Sequence, residues 1–308
     1  MKLKLIYGIL IAILLAGCGK EDTLSPTYAD ENWFSVEDDP NDELTHLRYL
    51  IYTEHGVPIF YNDTLGSVVR YDKSGKAYTH YEILRVGYNV SSSAATKYVL
   101  PDNEEDVLDM VELMDEYLFE LLPKERRPLS YLLVDTLPVS LSSNTISDRY
   151  YRSLTVTCIG EIEQVKYMSD SAKQSFASEL AGLTFVDDVQ NTEANKDLLV
   201  QYDSLIFRIA LDNKVYAPSR PGSGYGARQQ TSTARQVPNP ELWGLLYYRY
   251  KQVNAVYFPT KQQDKAAYIG LILSCTDEEI RERYKNSPEV IKKYEMMREM
   301  MENAGLLE

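Results

Sequence analysis

The sequence predicts an α+β fold, a small mixed sheet in the N-terminal half followed by a mainly helical C-terminal half. Two observations carry this. Four strand-like runs bounded by Gly, Asp and Pro fall between Val57 and Val134, and helical periodicity with recognisable start and stop signals dominates from Ser171 onward. The runs are Val57-Pro58-Ile59-Phe60-Tyr61, Ser67-Val68-Val69-Arg70-Tyr71, Glu82-Ile83-Leu84-Arg85-Val86-Gly87-Tyr88 and Leu129-Ser130-Tyr131-Leu132-Leu133-Val134.

The clearest helix runs from Glu104 to Leu122. Val107, Val111, Met114, Leu118 and Leu121 recur at spacings of four and three, so one face is apolar; Asp102 with Glu105 forms the expected cap and Pro123 the stop. A second helix is predicted from Ser171 to about Phe185, with Ala172, Phe176, Leu180 and Leu183 inward. Asn239-Pro240 opens a third and Asp264 to Leu273 forms a fourth. Thr276-Asp277-Glu278-Glu279 and Ser287-Pro288 open two more before Gly305. At about 212–240, between Asp212 and Glu241, lies a long loop-like stretch that carries Lys214, Arg220, Arg228 and Arg235 and no acid. Disorder, docking on the acidic body and capture of an anionic ligand are its three readings.

The first seventeen residues have a basic start, the apolar run Leu5 to Gly17 and a small-residue site. The apolar run is shorter than the roughly 20 residues a membrane span needs. With Leu15-Ala16-Gly17-Cys18 it resembles a bacterial lipoprotein signal. The resemblance implies cleavage after residue 17, lipidation of Cys18 and membrane attachment through that anchor. Gly19-Lys20-Glu21-Asp22 is similar to the export signal of Bacteroidetes surface lipoproteins. Asp22-Thr23-Leu24, Asp63-Thr64-Leu65, Asp135-Thr136-Leu137 and Asp203-Ser204-Leu205 resemble glycosylation triplets of the same bacteria. The implied location is the outer membrane, facing the medium, with a periplasm-facing anchor as the alternative. The expected organisation is a signal at 1–17, an acidic tether at 18–47 and one domain at 48–308.

The formal charge is −14 and becomes −16 once Lys2 and Lys4 leave with the signal. That argues against nucleic acid and against charge-driven contact with anionic lipid. With Cys18 acylated, Cys158 and Cys275 allow at most one disulfide, and their apolar surroundings favour free thiols. Tyrosine, with 25 copies against 7 Phe and 2 Trp, suits peptide or sugar contacts, although core and boundary packing accounts for most of these positions.

Three segments carry a family resemblance. They are Tyr81-Glu82-Ile83-Leu84-Arg85-Val86-Gly87-Tyr88-Asn89-Val90 with Tyr98-Val99-Leu100-Pro101, the stretch Phe176 to Gly182, and Phe258 to Ala267. In pattern and order they resemble the zinc-metallopeptidase lipoproteins of Bacteroidetes, a zincin-like family, over about residues 48–308. The family's chemistry needs His-Glu-x-x-His, because a helical spacing of four places both imidazoles on one zinc while the glutamate activates water. Here the window reads Ser178-Glu179-Leu180-Ala181-Gly182, and the downstream acidic element reads Gln263-Asp264-Lys265-Ala266-Ala267. Of the catalytic set only Glu179 remains, and the chain's three histidines, His46, His55 and His80, all lie upstream.

No metal ligand set is therefore assigned and no cofactor is expected; zinc enters only through the resemblance. The candidate binding residues are Ser178, Glu179 and Asp264 of the degenerate elements, with Trp243 of the cluster Trp243 to Tyr250. There Trp243, Tyr247 and Tyr250 would share a helical face, as a binding platform or as core. Glu161 and Glu163, at strand spacing, form a formal glycosidase pair or a solvated face. The expected function is non-catalytic binding of a peptide, protein or glycan in an inherited groove. The alternatives are an active zinc metallopeptidase with an atypical site and an accessory component of an outer-membrane nutrient-uptake complex.

Overall fold

The computed structural model describes residues 32–86, 98–141, 144–212, 228–230, 239–252 and 255–307. They divide into a small unit, Thr64–Ile83 with the residues up to Ser35, and a large one, Val36–Asp63 with Leu84–Glu308. The expected domain start at 48 falls inside the first helix. Val36 and Leu44 are already buried, so the body takes in the last part of the expected tether.

The large unit begins with α1 (Glu43–His55), capped by the Asp42 side chain, which accepts from the Thr45 amide at 2.6 Å, and closed by Gly56 at φ 73°. β1 (Ile59–Phe60) follows. In the small unit, β2 (Thr64–Tyr71) and β3 (Ala77–Ile83) pair as an antiparallel hairpin with a bulge between Thr64 and Gly66. Asp72 accepts from the Ser74 and Lys76 amides, and Gly75 supplies the φ of 80° that the turn requires.

α2 (Glu104–Leu113) continues through a π-helical turn at Met114–Leu118 into α3 (Phe119–Leu121). The expected apolar face is confirmed, with Val107, Val111, Met114 and Leu118 buried, and the chain turns extended at Leu122 before Pro123. The cap differs from expectation. Asn103, directly ahead of the first helical residue, accepts from the Glu105 amide at 3.1 Å in place of Asp102.

β4 (Tyr131–Leu133), the hairpin β5 (Leu137–Leu141) and β6 (Asn144–Asp148), β7 (Tyr150–Arg152) and β8 (Thr157–Ile159) complete the N-terminal sheet region. The central sheet has the order β1-β4-β8-β7. β4 lies parallel to both β1 and β8, and β7 runs antiparallel to β8 at the edge. β4 and β8 are wholly buried, and β4 accordingly falls in the continuous apolar run Tyr131 to Val134.

α4 (Asp170–Asn191) extends six residues past the expected end because Val186 and Val189 carry its buried face onward; Ala172, expected inward, is exposed. α5 (Lys196–Asp212) follows. β9 (Arg228–Gln230) lies within the stretch read as loop and pairs with β11 (Ala255–Tyr257), which also pairs with β10 (Tyr250–Gln252). α6 (Lys261–Ser274) and α7 (Asp277–Arg283) each open on a capping box, Thr260 with Gln263 and Thr276 with Glu279. α8 (Pro288–Asn303) ends before Gly305 at φ 69°.

The expected third helix is only a single 3-10 turn, Pro240–Trp243. Asn239 caps it, and Gly244 stops it in the left-handed region at φ 65°. Trp243, Tyr247 and Tyr250 therefore share no helical face. Cys158 and Cys275 are free; Cys158 is buried and burial pushes its thiol up to about 12, whereas Cys275 is half-buried.

Candidate binding cleft

α4 packs along α6 with their backbones in contact at two points. A Cβ on Gly182 would collide with the Ala266 carbonyl oxygen and stand 2.8 Å from the Gly270 nitrogen. A Cβ on Gly270 would collide with the Ser178 carbonyl oxygen and stand 3.0 Å from the Glu179 nitrogen. The window Ser178 to Gly182 is thus a helix-crossing surface in which small residues permit backbone contact.

Glu179 sits at the second of these contacts and is almost wholly buried, at 7% exposure. Its Oε1 accepts from the Tyr247 hydroxyl at 2.6 Å and its Oε2 from Arg149 Nη1 at 3.1 Å. The Nε of Arg149 donates to Glu161 Oε2 at 2.7 Å, and its guanidinium stands 5.2 Å from the centre of the Phe176 ring. Glu161 is, among the described residues, the one non-glycine residue with positive φ, 63°. Holding a side-chain-bearing residue there costs about 1–2 kcal/mol, so strained backbone aims this carboxylate at Arg149.

Burial raises the Glu179 carboxyl above the usual range, with the Arg149 charge and the Tyr247 hydroxyl opposing it. Burial of Arg149 would lower its own value, but the Glu179 and Glu161 carboxylates outweigh that and hold it charged. Burial beside Glu179 raises the Tyr247 phenol far beyond physiological pH, leaving it a neutral donor.

The cleft above this network has a volume of about 500 Å³. Ser171, Gln174 and Ser175 of α4 line it with Tyr247, Cys275 and Arg283. Arg149 and Glu179 also border a 60 Å³ cavity shared with Leu183 and Gln262, and that cavity abuts a 690 Å³ groove along β7 through Tyr150, Leu183 and Gln262.

Of the sequence-predicted residues, Ser178 and Glu179 line the cleft. Ser178 Oγ donates back to the Gln174 carbonyl at 2.7 Å. Asp264 and Trp243 do not line it. Asp264 is 1% exposed and paired with Lys293 at 2.5 Å, while the Lys293 ammonium lies 4.7 and 4.8 Å from the Tyr202 and Tyr268 ring centres. Trp243 is buried against Phe258 at a ring separation of 5.3 Å, a core contact and not a platform. Glu161 and Glu163 are no strand pair, since Glu161 precedes and Glu163 lies within the 3-10 helix Ile162–Tyr167. Arg149, Glu161 and Tyr247 complete the network without having been singled out as partners of Glu179.

These residues do not fit zinc. Position 182 has no room for a side chain, Ser178 is turned back on its own helix, and a guanidinium already occupies the charged side of Glu179. His46 pairs with Asp38 at 2.7 Å, His80 with Glu82 at 3.1 Å, and His55 stacks on Phe119 at 4.4 Å; none lines the cleft. Among the described residues no cluster of His, Cys, Asp and Glu is arranged to hold a metal, and no helix is long and apolar enough to cross a membrane. Cys18 and most of the basic stretch at 212–240 lie outside the described residues. Comparison of the chain with protein families, curated proteins and solved structures finds no match.

Proposed function

We propose that this protein is a lipid-anchored binding protein of the cell envelope that receives an extended peptide in the α4 cleft without hydrolysing it. The observation that carries the reading is the engagement of Glu179: both oxygens of its carboxylate are already taken, by Arg149 and Tyr247, so the group is tied into a side-chain network and not held ready for a water. The anchor rests on the lipobox Leu15-Ala16-Gly17-Cys18, and surface display rests on the charged residues behind it.

A peptide is favoured over a glycan by the sheet edge. The Gly160 amide bonds the Arg149 carbonyl and the Ser153 amide bonds the Val156 carbonyl, so odd-numbered residues of this strand face β8. By antiparallel alternation the backbone groups of Tyr150 and Arg152 face outward. Among the described residues they have no backbone partner on that side. Such an edge complements an extended polypeptide, and it leads from the cleft directly after Arg149.

The test uses the detergent-solubilised full chain with a mixture of capped peptides. Retention of intact peptide, unaffected by chelator, is expected. Chelator-sensitive cleavage would establish the metallopeptidase instead. Failure to retain peptide together with co-purification of outer-membrane partners would establish the uptake-complex component.

A further inference from the structure

Resting on the peptide reading, we propose that the groove between β7 and α4 is a side-chain pocket that anchors one large apolar residue of the bound strand. Leu183 and Val186 are three apart on α4, hence neighbours on one helix face, and with Tyr150 they line a groove of about 690 Å³. Leu154, at the turn after β7, lines the same groove and is 78% exposed, the most exposed large apolar residue described. The charges that line the groove are Arg152 and Asp187, of opposite sign, so the site selects for apolar area and not for charge.

The register supplies the anchor's place. Tyr150 and Arg152 are two apart, so an added strand pairs with both, and alternate side chains of that strand turn toward α4. One of them would lie over Leu183 and Val186. The occupant is thus an extended, uncharged peptide segment with Phe or Leu at one position and small or polar residues at its neighbours. The pocket lies beyond the Glu179 cleft along α4, and no lining residue is common to the two.

The probes are short capped threonine-rich peptides with a single guest residue, Phe or Ser, and the Phe peptide with methylated backbone nitrogens. Each is titrated by calorimetry against the full chain in detergent. Burying the guest ring predicts that Phe binds about ten- to a hundredfold more tightly than Ser. Backbone methylation should abolish binding. Arg152→Pro should do the same, since it removes an amide that faces away from β8 and leaves the ladder bonds in place. Leu154→Ser, at an exposed site that cannot endanger folding, should reduce the Phe advantage. Equal binding of the Phe and Ser peptides would overturn the pocket while leaving the peptide reading intact. Binding of no peptide would overturn both.

Discussion

Gly182 of α4 abuts the backbone of Gly270 in α6, so that a Cβ at 182 would stand 2.8 Å from the Gly270 nitrogen. The position where the resembled motif carries its second histidine is therefore the position where two helix backbones meet. Gly182→Ala is expected to destabilise the protein by about 3 kcal/mol or more, because both colliding partners are backbone and cannot rotate aside. Urea unfolding measures this, and a midpoint equal to that of the parent would refute the crossing. Ser178→His with Gly182→His, which rebuilds the motif on paper, is expected to lose the fold without gaining zinc by elemental analysis.

Burial raises the folded-state value of Glu179 above its unfolded value, so the folded chain holds the extra proton in the interval between them. The Glu179 contribution to stability is accordingly greatest in acid and declines as pH rises from the ordinary glutamate range through the raised one. Glu179→Gln removes this dependence. The parent-minus-variant difference in unfolding free energy is expected to shift toward the variant between pH 4 and 7, in denaturant titrations at about three pH values. A shift toward the parent would contradict the assigned direction.

The Tyr247 hydroxyl donates to Glu179 Oε1 at 2.6 Å and lowers its value against the effect of burial. Tyr247→Phe should cost about 1.5–3 kcal/mol, the range for a hydrogen bond to a charged group. The loss should be larger at neutral than at acid pH, because the bond favours the ionised carboxylate. A pH-independent loss would assign Tyr247 to packing alone.

Lys293 and Asp264 form a buried ion pair flanked by Tyr202 and Tyr268. Lys293→Met alone removes the ammonium that pairs with the buried Asp264 and is expected to cost about 3–5 kcal/mol; Lys293→Met with Asp264→Leu should recover most of it. Thermal unfolding of the single and double variants decides this. A double variant as weak as the single one would mean that the pair contributes more than mutual compensation.

What the sequence by itself determined is local. The apolar face of α2, the opening of α7 at Thr276 and the stops at Pro123 and Gly305 are set by neighbours three or four residues apart, where periodicity and backbone hydrogen bonding act. The reason for the glycine at 182 was not legible, since it is a carbonyl on a helix more than eighty residues away. Gly244, a single left-handed residue, ended the expected helix after Trp243 and sent Tyr247 to Glu179. Arg149 lies 30 residues before Glu179 and 12 before Glu161, with no helical or strand period linking the three. Charge pairing of that kind depends on which side chains share a buried volume, and only the packing of α4 against β7 and α6 decides it.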